Sequence, residues 1–162
     1  MLKIALTNLR RYNEGDLIFE WVDLPCDDFR PIFNKIGHDE YFISDYECER
    51  FNFHIDEYES LTKLNDIAEK ISTLDDYELK ELQAIVESEY SDILEALDIL
   101  EEESFIFYEV CDLEELAEMF IEDEIFGIIP ESIERYIDYG KVAIDLKFEG
   151  YIETSVGVII YE

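Results

Sequence analysis

Among the residues whose side chains could take part in catalysis or binding, Asp and Glu are the most abundant in this sequence. The 162 residues include 43 Asp and Glu but only 12 Lys and Arg, which gives a formal net charge of −31. With so many carboxylates, almost any spacing of an acid and a base arises by chance, so no pair of them predicts a glycosidase-like site. The carboxylates therefore indicate an electrostatic role rather than a catalytic one.

Other catalytic and metal-binding patterns are absent from the sequence. His38 and His54 belong to no HExxH motif, and neither lies beside a recognisable nucleophile motif. Cys26, Cys48 and Cys111 form no CxxC pair, and the chain has no EF-hand loop and no glycine-rich phosphate loop. We expect no catalytic residue, no metal site and no cofactor.

The spacing of some carboxylates suits a helical surface. Asp92, Glu95, Asp98 and Glu102 follow one another at intervals of three or four residues, which is a rise of roughly 4.5–6 Å per step on a helix. The segment 75–78 (D-D-Y-E) has a simpler interpretation, because acidic residues favour the positive end of a helix dipole.

The negative charge is spread over the whole chain. Residues 1–59, 60–103 and 104–162 carry net charges of −8, −11 and −12. Such an excess strains the compact state by self-repulsion, and solubility needs a net charge of only about 2–8. Duplex DNA carries about one charge per 1.7 Å, so 31 charges at that density would cover roughly 53 Å. Since a compact chain of this length is roughly 40 Å across, a mimic of DNA should be elongated.

The same charge excludes several partners. Direct binding of nucleic acid or of an anionic membrane surface needs Lys and Arg, so we expect neither. Disorder is disfavoured because 48% of the residues are hydrophobic and 14% are aromatic. The apolar N-terminal stretch stops at Asn8, too early for a secretory signal, and no apolar run is long enough to span a bilayer. We expect a cytoplasmic protein.

Alternation and capping signals predict the elements. Strands are expected at 2–6, 17–21 and 41–43, with a turn at 12–15 and a helix that Asp27 or Asp28 caps and Gly37 closes. Three short amphipathic helices should follow Ser60, Asp75 and Ser91. The last part predicts a strand at 105–108, a helix after Asp112, a helix opened by Pro130 and carrying Ile133, Tyr136 and Ile137, and a hairpin at 150–161.

These elements predict an α+β protein built as an elongated chain of three small modules. Residues 1–59 would form an N-terminal α/β module, residues 60–103 a helical module, and residues 104–162 a C-terminal α+β module.

Three segments resemble one known family. The opening segment 8–17 (N-L-R-R-Y-N-E-G-D-L), followed by Trp21 and Leu24-Pro25, resembles the start of the ArdA antirestriction proteins. Residues 39–47 (D-E-Y-F-I-S-D-Y-E) are similar to an acidic segment of that family. Residues 125–139 (I-F-G-I-I-P-E-S-I-E-R-Y-I-D-Y) look like its antirestriction motif, so the resemblance runs nearly end to end.

The resemblance implies a function without catalysis. ArdA proteins are non-enzymatic mimics of bent B-form DNA, carried by mobile genetic elements. They occupy the DNA groove of type I restriction-modification enzymes, whose methyltransferase core would be the partner, and so protect incoming DNA. The resemblance also implies a homodimer of three-module chains, with the last module at the dimer contact.

The resemblance and the charge pattern together select two sets of candidate residues. The carboxylates expected to face the enzyme are Asp39, Glu40, Asp45, Glu47, Glu49, Asp75, Asp76, Glu78, Glu81, Asp92, Glu95 and Asp98. The residues expected at the dimer contact and antirestriction motif are Phe126, Gly127, Ile129, Pro130, Ile133, Tyr136, Ile137, Asp138 and Tyr139.

Two other functions fit an acidic surface. The chain could be an acidic chaperone that shields a basic DNA-binding protein, such as a histone-like factor. It could also inhibit a different nucleic-acid enzyme, for instance a CRISPR effector.

Overall fold

The chain combines helices with two small antiparallel sheets. A computed structural model describes residues 2–37, 40–49, 53–88 and 92–162, and the predicted α+β class is confirmed. The chain divides into two compact units, residues 1–79 and 80–162, with the boundary inside one helix. The division into three modules stays a prediction.

A three-stranded sheet organises the first unit. Its strands are β1 (Leu2–Asn8), β2 (Phe19–Leu24) and β3 (Tyr41–Cys48), in the antiparallel order β2-β1-β3. Leu2, Ile4 and Leu6 are buried, because alternation along β1 places them on one face. Val22 and Leu24 face the same side from β2 and are also buried.

Helices complete the first unit. They are α1 (Leu9–Asn13), α2 (Arg30–Ile36), α3 (Leu61–Thr73) and the first turn of α4 (Asp76–Ser88). Both α2 and α3 pack against β2, and they bury Ile36, Leu64 and Ile67. As predicted, Gly37 ends α2 in the left-handed region, at a φ of 82°. The predicted Ser60 cap of α3 is also present, since its Oγ accepts from the Lys63 backbone N–H at 3.4 Å.

The sequence prediction missed α1, whose last two residues fall within the predicted turn at 12–15. The Asn8 side-chain oxygen accepts from the Arg11 backbone N–H at 2.8 Å and starts this helix, so β2 begins at Phe19 rather than at Leu17. The N-cap position of α2 is held by Phe29 instead of an aspartate. Asp28 still accepts from the Arg30 backbone N–H, at 3.0 Å.

The second unit packs two helices against a smaller sheet. Beyond the rest of α4 it contains α5 (Ile93–Glu102), β4 (Phe105–Tyr108), α6 (Leu113–Glu122), α7 (Glu131–Glu134), α8 (Tyr139–Phe148), β5 (Ile152–Glu153) and β6 (Val158–Tyr161). The strand order is β4-β6-β5, and every pairing is antiparallel. Helices α6 and α8 pack together around Leu116, Phe120, Ala143, Leu146 and Val158.

The C-terminal hairpin forms where the sequence predicts it. Gly157 is required at its turn, because a Cβ there would lie only 2.4 Å from the Tyr108 carbonyl oxygen. Glu87 of α4 ties the hairpin down: it accepts from the Ser155 backbone N–H at 2.7 Å and from the Ser155 hydroxyl at 2.8 Å. Gln83 donates to both Glu87 and Ser155.

Two helix predictions need correction. The helix expected from Pro130 is a single turn that ends at Glu134, so Tyr136 and Ile137 lie outside it. The chain turns extended at Asp138 (φ −99°, ψ 91°), whose carboxylate then caps α8. That carboxylate accepts from the Lys141 backbone N–H. Ser91, predicted as a cap, lies outside the described residues, and Asp92 is the N-cap of α5.

Within the described ranges, no helix has both the length and the apolar character needed to cross a bilayer.

Replacing Glu87 with Ala should destabilise the second unit. Burial alone would raise the pKa of Glu87, but the hydrogen bonds from Gln83 and from the backbone and hydroxyl of Ser155 outweigh it, so the pKa lies below its ordinary value of 4.5. A group with a lowered native pKa stabilises the fold above its unfolded pKa and loses that effect as the pH falls through the native value. We expect a loss of about 1 kcal/mol at pH 7.

Thermal unfolding at pH 7 and at pH 3 checks this prediction. The Tm difference between wild type and Glu87→Ala should shrink at the lower pH. Glu118→Ala, which removes an exposed carboxylate of α6 in the same unit, serves as the matched control. A difference that grew on acidification would contradict the assignment.

Candidate partner-binding surface

The acidic ladder of α5 lies on the solvent side of that helix. Ile93, Ala96 and Leu97 are buried, whereas Asp92, Glu95, Asp98 and Glu102 are all exposed. Asp92 also caps the helix, since its carboxylate accepts from the Leu94 backbone N–H at 2.8 Å. One side of α5 thus belongs to the core and the other is a row of carboxylates.

A second acidic row runs along β3. Asp45 and Glu47 are exposed and lie on the same face, because residues two apart in a strand point the same way. Asp45 also accepts from the Tyr46 backbone N–H at 2.9 Å. Glu40 precedes the strand and Glu49 follows it, and both are exposed. Asp39, the remaining candidate here, lies outside the described residues.

The acidic residues at the start of α4 have a structural role. Asp75 accepts from the backbone N–H groups of Tyr77 and Glu78 at 2.8 and 2.9 Å. The Glu78 carboxylate accepts from the Asp75 backbone N–H at 2.7 Å, which completes a reciprocal capping box. Asp75 and Asp76 are exposed, whereas Glu78 and Glu81 are half-buried. These four carboxylates therefore differ in what they can offer a partner.

The basic side chains neutralise other carboxylates. Several Lys and Arg residues form ion pairs with acidic residues: Lys3 with Asp23, Arg10 with Glu14, Arg11 with Glu14 and Asp16, Arg30 with Asp28, Lys35 with Glu20, Lys63 with Glu59, Lys80 with Glu109, and Lys141 with Asp138. Among the candidate carboxylates, Asp45, Glu47, Asp75, Glu78, Asp92, Glu95 and Asp98 are not among these acids. Across the part of the chain that the structure describes, Asp45, Glu47, Asp92, Glu95 and Asp98 have no Lys or Arg partner within 4 Å.

The segment 125–139 is rich in exposed apolar side chains. Gly127, at a φ of 93°, turns the chain after α6, and Phe126 contacts Phe120 edge-on at 5.9 Å between ring centroids. Ile129 and Ile137 face inward and line a cavity of about 310 Å³ with residues of α6 and α8. Pro130, Ile133 and Tyr136 are exposed, and Tyr139 is half-buried as the first residue of α8.

Charged groups fix the end of this segment. The side-chain hydrogen bond from Lys141, together with its backbone N–H, lowers the pKa of Asp138 below its usual range. The Arg135 guanidinium lies 4.9 Å from the centroid of the Tyr136 ring. The candidate residues of this segment therefore combine an apolar surface with one ordered helix cap.

Exposed apolar residues outside the predicted set lie within this segment and on the helix that follows it. Ile128 is 82% exposed, and on α8 Ile144 and Phe148 are 55% and 86% exposed. Sequence reasoning missed the last two because it missed α8. On the first unit, Phe19 and Trp21 of β2 are also exposed; their alternation was recognised, but not the side of the sheet they occupy.

A comparison with known protein families shows which family the chain belongs to. A family model described as "Antirestriction protein (ArdA)" matches residues 4–160. The chain belongs to the ArdA family. No curated protein matches the chain. ArdA proteins are antirestriction proteins, so restriction enzymes are the partners that membership indicates, and the role is that of an inhibitor rather than of an enzyme.

Substitutions at Asp75 should separate capping from charge. Asp75→Ala removes the acceptor for two backbone N–H groups and should destabilise the protein by about 1 kcal/mol. Asp75→Ser removes the charge but keeps a capping oxygen, so its stability should stay close to wild type. Chemical denaturation of both variants measures the difference. Equal losses for the two would show that the charge, and not the cap, stabilises α4.

Proposed function

We propose that this ArdA protein is a DNA mimic that occupies the DNA-binding groove of a type I restriction-modification enzyme and so protects incoming mobile-element DNA. The observation that carries the proposal is the set of exposed carboxylates on α5 and β3 that lack a Lys or Arg partner in the described residues. In the described residues the ion pairs engage other acids, so Asp45, Glu47, Asp92, Glu95 and Asp98 have no Lys or Arg beside them to offset their charge.

The charge supports the proposal quantitatively. At about one charge per 1.7 Å of duplex, two copies with about 62 net charges match roughly 31 base pairs. The second unit contributes most, with 24 acidic and 4 basic side chains. An enzyme that binds DNA through a positive channel would meet negative charge on this protein, as it does on DNA.

Inhibition by such a mimic is competitive and needs no bond to be made or broken. Complementary charge speeds the encounter of two proteins, and salt weakens that effect. The carboxylates hold the place of phosphates in the channel, and DNA is excluded while the protein is bound. Many weak contacts share the binding energy, because an exposed ion pair contributes only about 0–1 kcal/mol.

A displacement assay tests the proposal. A type I methyltransferase core is loaded with fluorescent specific DNA, and the protein is titrated in at several salt concentrations. We expect full displacement at low salt and weaker displacement as salt rises. A basic histone-like protein that carries the same labelled DNA serves as the specificity control. Equal displacement from both would favour the general acidic chaperone over the restriction-enzyme inhibitor.

Charge substitutions should show that the surface is distributed. Asp45→Asn alone should leave inhibition within about threefold of wild type, since one exposed charge contributes little. A variant with eight exposed carboxylates neutralised should not inhibit. It changes Asp45, Glu47, Asp92, Glu95, Asp98 and Glu102 of the two rows, and Asp66 and Glu69, which are exposed on α3, to Asn or Gln. The control exchanges Asp for Glu and Glu for Asp at the same eight positions and should stay active. Complete loss from Asp45→Asn would contradict a distributed surface.

We further propose that the protein is a homodimer joined through the segment 125–139. Exposed apolar side chains concentrated in one region mark a protein interface, and this segment contains Phe126, Ile128, Ile133 and Tyr136. The outer side of α8 adds Phe148. Tyr136 would lie at this contact with Arg135 stacked on it.

Substitution of the two most exposed of these residues should separate the copies. Wild type should run in equilibrium ultracentrifugation at about twice the chain mass of 19.2 kDa. Ile128→Ser combined with Phe148→Ser should approach the mass of one chain, because the apolar contact is lost. Tyr58→Ser, which removes an exposed ring of the first unit, is the control and should stay dimeric. A double variant that remained dimeric would place the contact elsewhere.

A further inference from the structure

The two faces of the first sheet differ in character. Leu2, Ile4 and Leu6 of β1 point into the core, so Lys3, Ala5 and Thr7 point to the other side. The strand register gives each of these three residues a neighbour on both sides. Thr7 pairs with Phe19 and Phe42, Ala5 with Trp21 and Asp45, and Lys3 with Asp23 and Glu47.

Five residues of this side are exposed and define the outer sheet face: Phe19, Trp21, Asp23, Asp45 and Glu47. Phe19 and Trp21 are 46% and 39% exposed, although Ala5 and Thr7 beside them are buried. The aromatic pair occupies β2, which is an edge strand, and two of the carboxylates occupy β3 at the opposite edge. Aromatic rings and carboxylates thus share one sheet surface.

This combination suits a guanidinium group. The face of an aromatic ring, Trp above all, attracts cations, and a carboxylate binds arginine through two parallel hydrogen bonds. Arg combines a planar group that stacks on rings with a charge that it never loses. Lys3 is the cation of the same side, and it is already paired with Asp23 at 3.6 Å. Asp45 and Glu47 have no such partner among the described residues.

We propose that the outer sheet face docks an arginine-bearing basic segment of the restriction enzyme, with Trp21 as its anchor. The inference rests on the proposed function and adds a contact that charge alone does not supply. Charge complementarity selects this occupant. A second copy of the chain would bring the same carboxylates opposite one another, and like charges across an interface are costly.

Anchors and peripheral charges leave different kinetic signatures. Trp and Arg dominate the strongest positions of protein interfaces, and truncating such a residue chiefly accelerates dissociation. Peripheral charges chiefly affect the association rate and its dependence on salt. Trp21 and the carboxylates of β3 can therefore be told apart in a single binding experiment.

The first test measures association and dissociation of the protein on an immobilised type I methyltransferase core. Trp21→Ala should raise the dissociation rate about 10- to 30-fold, with little change in the association rate. Trp21→Phe should recover most of the loss because it keeps a ring. Asp45→Asn with Glu47→Gln should instead slow association at low salt and flatten its salt dependence. Tyr58→Ala, which removes a ring 68% exposed in the same unit, is the control.

The second test uses the wild-type sequence, so that loss of folding in a Trp21 variant cannot confuse the result. Trp21 is the single tryptophan of the chain. Labelling with 5-fluorotryptophan therefore gives one ¹⁹F resonance, whose position and sensitivity to D₂O report solvent access. Adding the unlabelled methyltransferase core should shift this resonance and remove its solvent isotope effect.

The outcomes separate the inference from the proposed function. Wild-type binding to the core, together with an unmoved resonance and a wild-type dissociation rate for Trp21→Ala, would overturn the docking of the outer sheet face and leave the DNA mimic intact. Absence of wild-type binding would overturn the proposed function itself, and this inference with it.

Discussion

Repulsion among uncompensated carboxylates is the constraint that the rest of this structure must satisfy. A net charge of −31 on 162 residues works against every compact arrangement of the chain. The repulsion is offset by apolar burial in two separate places, around the sheet of the first unit and around α6, α8 and β6 of the second. Among the described residues, Thr7 and Asn8 are the buried polar ones, so every described carboxylate stays at least partly exposed while the cores are built from apolar side chains. Charge and fold are therefore coupled in every element.

Helix capping reduces part of this cost. Asp75, Asp92, Asp112 and Asp138 each accept from backbone N–H groups at the start of a helix, where the helix dipole also favours negative charge. These four carboxylates stabilise the fold and remain exposed. An acidic surface built on many short helices thus obtains stabilising positions for its charges, which a single long helix offers only at one end.

The sequence predicts those features that local chemistry decides. Alternation along residues 2–6 and the caps at Ser60 and Asp112 identify elements that the structure contains, because a buried face and a capping oxygen leave a local pattern. Helix α8 leaves a weak pattern: Ile144 and Phe148 are apolar but exposed, which blurs the amphipathic spacing. Helix α1 is hidden for a different reason, since its cap, Asn8, is also the last residue of a strand and donates to the Ile36 carbonyl far along the chain.

The candidate surface, too, has some features that local sequence spacing predicts and others that only the fold decides. That Asp92, Glu95 and Asp98 share one side of a helix follows from spacing alone. Which carboxylates have a cation beside them depends on where the Lys and Arg side chains reach, as Lys80 does to Glu109, and that is a property of the fold. That Trp21 and Asp45 flank Ala5 on the two edge strands of one sheet is non-local as well, because the strands that carry them are far apart in the sequence. A surface of carboxylates alone would attract any basic protein equally. Discrimination among basic partners must therefore come from side chains whose contacts depend on geometry. On the first sheet these side chains are the aromatic rings of β2, held by the strand register on the same face as the carboxylates of β3. The carboxylates would speed the encounter with a basic partner, and the rings would add a contact that depends on geometry.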